Sequence, residues 1–99
     1  MANYEKTTKE LIIDWAREHL RGAEEFNSRP VVKWFALNYP RTSPKTVRMH
    51  LRGMSTNNPA HRKNHLHIRA DSDWDHFYRL ERDTYRRFDP RNDPPPRYG

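Results

Sequence analysis

Leu11, Ile12, Trp15, Ala16, His19 and Leu20 recur at the three- and four-residue spacing of a single helix face. Thr7 or Thr8 is placed to cap that helix, and Glu10 stands three residues after Thr7, the spacing of a capping box. The first helix is expected to run to about Arg21, with Gly22 ending it. A short link follows, with Phe26 as its one apolar anchor. Ser28 is the expected cap of a second helix, from about Arg29 to Asn38, with Pro30 tolerated in the first turn. Val31, Val32, Trp34, Phe35 and Tyr39 load it, and Pro40 stops it. Ser43-Pro44 then restarts a helix, with serine as N-cap and proline at the first helical position. This third helix spans about 43–55. Val47, Leu51 and Met54 share its inner face, whereas Lys45, Met49 and Arg52 fall on the opposite side with Arg48 on the flank.

Periodicity then disappears. Thr56 to Ser72 reads as a long polar loop, opened by the helix-breaking Asn57-Asn58-Pro59 and crowded with His61, Arg62, Lys63, His65, His67 and Arg69. Aromatic-rich segments at 76–80 and 84–88, separated by Glu81-Arg82-Asp83, predict a β-hairpin. Residues 89–99 hold four prolines and no pattern, so a domain over 1–88 is expected to give way to an extended or disordered tail, with Tyr98 the residue that would pack back. Trp15, Trp34 and Phe35 are expected in the core, and Trp74 either covers the hairpin or makes an exposed contact.

Composition narrows the class. Ninety-nine residues, 33% hydrophobic and 32% charged, supply one small core and a wet surface. No apolar run approaches the ~20 residues of a membrane-spanning helix, and the first residues lack the apolar stretch of a cleavable leader. A cytoplasmic protein with no membrane partner is therefore expected. The absence of cysteine removes disulfides, thiolate zinc sites and thiol catalysis. Charge is the more informative quantity. Between Glu25 and Asp71 lie 45 residues without a single acid and with nine Lys or Arg, while the rest of the chain is mildly acidic. A basic middle of this kind favours a polyanionic partner over a merely solvated face.

Two helices joined by a very short turn, with cations on the outer face of the second, form a helix-turn-helix arrangement. A hairpin after the third helix makes the expected fold a winged helix-turn-helix, mainly α with a C-terminal β-hairpin. The chain resembles a small prokaryotic winged-helix family that occurs alone or fused to restriction-type nucleases. The resemblance is carried by Ile13-Asp14-Trp15-Ala16-Arg17-Glu18-His19-Leu20, by Ser28-Arg29-Pro30-Val31-Val32-Lys33-Trp34-Phe35-Ala36, and by Tyr39-Pro40. It continues through Ser43-Pro44-Lys45-Thr46-Val47-Arg48-Met49-His50-Leu51, Met54-Ser55-Thr56-Asn57, Phe77-Tyr78-Arg79-Leu80, Tyr85-Arg86 and Asp89-Pro90. It implies double-stranded DNA binding, in a regulator or in a module of a restriction or defence system that senses DNA or modified DNA. One departure stands out. The turn where such proteins often carry glycine reads Glu81-Arg82-Asp83, and the Asp83 charge opposes a phosphate contact at the tip.

On the DNA reading, Lys45, Thr46, Met49 and Arg52 are candidates for base edges, because Arg suits guanine and a methyl-bearing side chain suits a thymine or methylated-base methyl. Arg41, Ser43, Arg48, Arg62 and Lys63 are candidates for phosphates, which position without specifying. Arg79, Arg82 and Arg86 are hairpin candidates. No enzyme and no cofactor is expected. Two other classes stay open. A protein-docking adaptor would use Met49 and the hairpin aromatics instead of DNA. A small metal nuclease would gather His61, His65 and His67 with Asp71, Asp73 or Asp75, although no nuclease motif surrounds them. Asp71-x-Asp73-x-Asp75 fails the calcium-loop pattern, having His76 at the sixth position and Arg82 at the twelfth.

Overall fold

The computed structural model describes residues 6–62, 68–69 and 72–98. The described elements run α1 (Thr8–His19), β1 (Phe26–Asn27), α2 (Ser28–Asn38), α3 (Pro44–Gly53), a one-turn α4 (Pro59–Arg62), β2 (Phe77–Glu81) and β3 (Thr84–Arg87). The molecule is a small α+β domain: three principal helices and a three-stranded antiparallel sheet in the order β1-β3-β2.

Local chemistry explains the helix ends. Thr7 caps α1 through a complete capping box: its hydroxyl accepts from the Glu10 N–H at 3.2 Å, and the Glu10 carboxylate accepts from the Thr7 N–H at 2.9 Å. The Leu20 N–H closes the helix on Ala16 O, and Gly22, at φ +58°, turns the chain in a left-handed conformation just beyond it. Ser43 caps α3 by accepting from the Thr46 N–H, with Pro44 starting the helix.

The start of α2 differs from expectation. Asn27 is the cap, its Oδ1 accepting from the Arg29 N–H at 2.9 Å. Ser28 lies one residue inside the helix and turns its hydroxyl to Asp83. The cause is β1: Phe26 pairs with Tyr85 and Asn27 with Thr84, so the strand delivers Asn27 to the helix start. A two-residue strand leaves no alternation to detect, and it converts the expected mainly α domain into α+β.

β2 and β3 form the expected hairpin, closed by Arg82-Asp83, with an irregularity between Arg79 and Glu81. The free edge of β2 is covered. Ser55 bridges Phe77 in parallel, and the Asn57 side chain both donates to Arg79 O (2.7 Å) and accepts from the Arg79 N–H (2.8 Å). Asn57, read as a helix breaker, thus does the work of a paired strand residue.

The core lies between the helices and the inner face of the sheet. Val31 and Phe35 of α2 meet Val47, Leu51 and Met54 beside Leu11, Ile12 and Trp15 of α1, and Phe26, Phe77 and Tyr85 line the sheet. The Phe26 ring sits 5.2 Å from both Trp15 and Phe77 and 5.7 Å from Tyr85, in tilted and edge-on geometries. Trp34, expected in the core, is only partly buried and packs on its margin.

The C-terminal segment is anchored at two points. Arg86 grips Asp93 at 2.6 and 2.8 Å, and the Asp93 carboxylate also accepts from the Asp89 N–H. Farther on, the Arg97 N–H donates to Thr56 O, the Tyr98 hydroxyl donates to Asp75, and the Tyr98 ring lies 5.3 Å from the Arg62 guanidinium.

Candidate nucleic-acid interface

α3 shows two unlike faces. Val47 and Leu51 are wholly buried, whereas Lys45, Arg48, Met49 and Arg52 are exposed at i, i+3, i+4 and i+7, an unbroken stripe along the helix. Among the described residues no carboxylate forms an ion pair with Lys45, Arg48 or Arg52. Tyr85 is buried in the core, with the Arg52 guanidinium near enough to bear on its hydroxyl. Burial pushes that phenol above its usual range, and the Asp83 charge adds to the rise while Arg79 and Arg52 oppose it.

The far end of α3 is closed by Trp74, which stacks on His50 at 5.6 Å and carries the Lys9 ammonium 5.5 Å from its ring. A Cβ on Gly53 would come within 3.1 Å of Trp74 and 3.2 Å of Ile68, so glycine there permits the cover to close. Trp74 therefore covers α3 rather than the hairpin.

The other expected contacts divide. Arg41 is exposed in the turn between α2 and α3, and Ser43 is exposed at the start of α3 with its hydroxyl engaged in capping. Thr46 lies off the stripe, partly buried, its hydroxyl 2.9 Å from that of Ser43. Lys63 lies outside the described residues, as do His65, His67 and Asp71 of the expected metal cluster. Among the described residues no three metal-ligating side chains gather, and Asp75 is committed to Arg62 and Tyr98.

Arg62 is a correction. Expected on a phosphate, its side chain is completely buried. Its guanidinium donates to Gly53 O at 3.0 Å, Asp75 Oδ1 at 2.9 Å, Trp74 O at 2.9 Å and Arg97 O at 3.3 Å. Four of the five donors of the arginine fork are thus taken, by carbonyls at the end of α3, before β2 and in the tail and by the Asp75 carboxylate, and full burial keeps the group from a phosphate.

The hairpin cations are also engaged. Arg79 folds over its own turn, donating to Glu81 O and twice to Arg82 O, and Arg86 lies 4.6 Å over the Tyr78 ring while it grips Asp93. Arg82 alone of the three is exposed. The tip does not project. Asn27, the last residue of β1, pairs with Thr84, the first residue of β3, so the turn lies level with the start of α2. Of the hairpin aromatics expected as a docking surface, Phe77 and Tyr85 are buried in the core, Tyr78 lies under Arg86, and Phe88 is half-buried.

The chain belongs to the family described as a domain of unknown function (DUF7669), which matches residues 7–87. No curated protein and no solved structure matches it. Among the described residues no helix is long and apolar enough to cross a membrane.

Proposed function

We propose that this protein is a winged helix-turn-helix domain that binds double-stranded DNA, with α3 in the major groove. The observation that carries the reading is the exposed Lys45–Arg48–Met49–Arg52 stripe on a helix whose opposite face is fully buried. A rigid helix of this width fits the B-form major groove. Its three cations have no carboxylate partner among the described residues, so phosphates would meet them without first breaking an ion pair. The element order supports the same reading: helix, strand, two helices joined by a short turn, then a hairpin whose second strand sits centrally in the sheet.

The stripe assigns different work to different residues. Arg48, on the flank, and Arg41, in the turn, suit phosphates. Lys45, Met49 and Arg52 lie opposite the buried Val47–Leu51 face and suit base edges. Arg82 suits a phosphate beside the groove, because a hairpin tip level with the body does not reach into the minor groove.

The test is fluorescence anisotropy of a random-sequence duplex across a salt series, comparing wild type with Lys45→Glu/Arg52→Glu. Wild type is expected to bind with a steep salt slope. The double variant, folded by circular dichroism, is expected to lose binding. No binding by wild type at low salt, where the electrostatic contribution is largest, overturns the proposal.

A further inference from the structure

A groove of about 520 Å³ opens between the end of α1, the link before β1 and the outer side of α2. Trp15, Phe26 and Trp34 line it, and no residue of α3 does. On its α2 wall stands Leu37, 75% exposed and the most exposed large hydrophobic residue in the described structure. The opposite wall carries Glu24 and Glu25, and Lys33 stands one helical turn before Leu37. Among the described residues neither acid forms an ion pair with Lys33 or with any other cation.

We infer that this groove is a self-association surface, in which a second copy of the chain seats its Leu37 between Trp34 and the α1–β1 link. The charge pattern selects the occupant. A two-fold interface must be self-complementary, so one patch has to carry both halves of each pair. Here acid and base stand on opposite walls of a single apolar groove, with no ion pair among the described residues. Rotating one copy onto the other brings Glu25 of each to Lys33 of its mate while both leucines leave water. A partner of one charge sign would satisfy one wall and strand the other. The groove lies on residues distinct from the α3 stripe, so dimerisation leaves both stripes open.

Sedimentation equilibrium over about 1 to 200 µM, a range that brackets a micromolar constant, tests this on the full chain. Wild type is expected to show a monomer–dimer equilibrium, and Leu37→Asp, at a position too exposed to affect folding, is expected to stay monomeric. Lys33→Glu and Glu25→Lys are each expected to weaken the dimer about tenfold or more, roughly 1.4 kcal/mol, and the double variant to restore it. A wild-type monomer throughout overturns the inference. So does a dimer indifferent to Leu37→Asp, or a charge exchange that fails to restore association. A parallel anisotropy measurement of Leu37→Asp on a short duplex separates the two readings, since the α3 stripe is intact in that variant and binding to one site should match wild type.

Discussion

Ser28 and Asp83, 55 residues apart in sequence, are joined twice: the serine hydroxyl donates to the aspartate Oδ2 at 2.8 Å and its backbone N–H to the same oxygen at 3.3 Å. The carboxylate thereby meets the positive end of α2 and pins the hairpin turn to it. Asp83→Ala should destabilise the domain by about 1–2 kcal/mol, the range of a lost N-terminal carboxylate contact, measured by urea unfolding. Asp83→Asn keeps an acceptor and removes the charge. It should cost less stability and, on the DNA reading, tighten binding at low salt, because one negative charge near Arg82 is gone.

Arg62 should behave unlike every cation of the stripe. Arg62→Ala leaves Asp75 and three carbonyls without their donor, and breaking a buried pair from one side typically costs about 3–5 kcal/mol. Chemical denaturation is expected to show that loss, and Arg62→Lys should recover only part of it, because a single ammonium does not reproduce the planar fork. Lys45→Ala and Arg48→Ala, by contrast, should stay within about 0.5 kcal/mol of wild type.

The stripe residues should separate by salt dependence. Replacing Arg48 with alanine is expected to lower the slope of log affinity against log salt by about one unit, with equal loss on all sequences. Met49→Ala should leave the slope unchanged and alter preference at one base position, which selection from a randomised duplex pool would reveal. Equal slopes in wild type and Arg48→Ala would remove Arg48 from the phosphate contacts.

Alkali should release the C-terminal anchor. The Tyr98 hydroxyl is pushed up to about 12, first by burial and then by its hydrogen bond to the Asp75 carboxylate. A phenol whose folded value is raised contributes stability that is complete below its unfolded value of ~10 and lost as pH rises through the folded one. Ultraviolet titration should therefore show one tyrosine ionising near pH 12 that is missing in Tyr98→Phe. In that variant the alkaline loss of stability between about pH 10 and 12 should also be smaller.

Elements governed by neighbours in sequence were legible. The Thr7–Glu10 box, the Ser43-Pro44 start and the buried Val47–Leu51–Met54 face needed only local spacing, and so did the exposed stripe, which is the complement of that face. Features that depend on distant partners were not. Nothing near Arg62 marks it as buried, because its partners come from residues 53, 74, 75 and 97. The same holds for β1, which is a strand only because Tyr85 and Thr84 lie beside it, and for Asn57, whose side chain completes the β2 edge. A run of cations therefore reported net charge correctly while concealing that one of them is structural.

The gathering around Arg62 also orders events in time. In a chain made from its N-terminus, α1, α2 and α3 can pack as soon as they are synthesised, since their contacts lie within the first half of the sequence. The guanidinium of Arg62 then waits for Asp75 and, last, for Arg97 and Tyr98. The end of α3 is consequently the final part of this cluster to be sealed, by residues more than 40 positions downstream of Gly53.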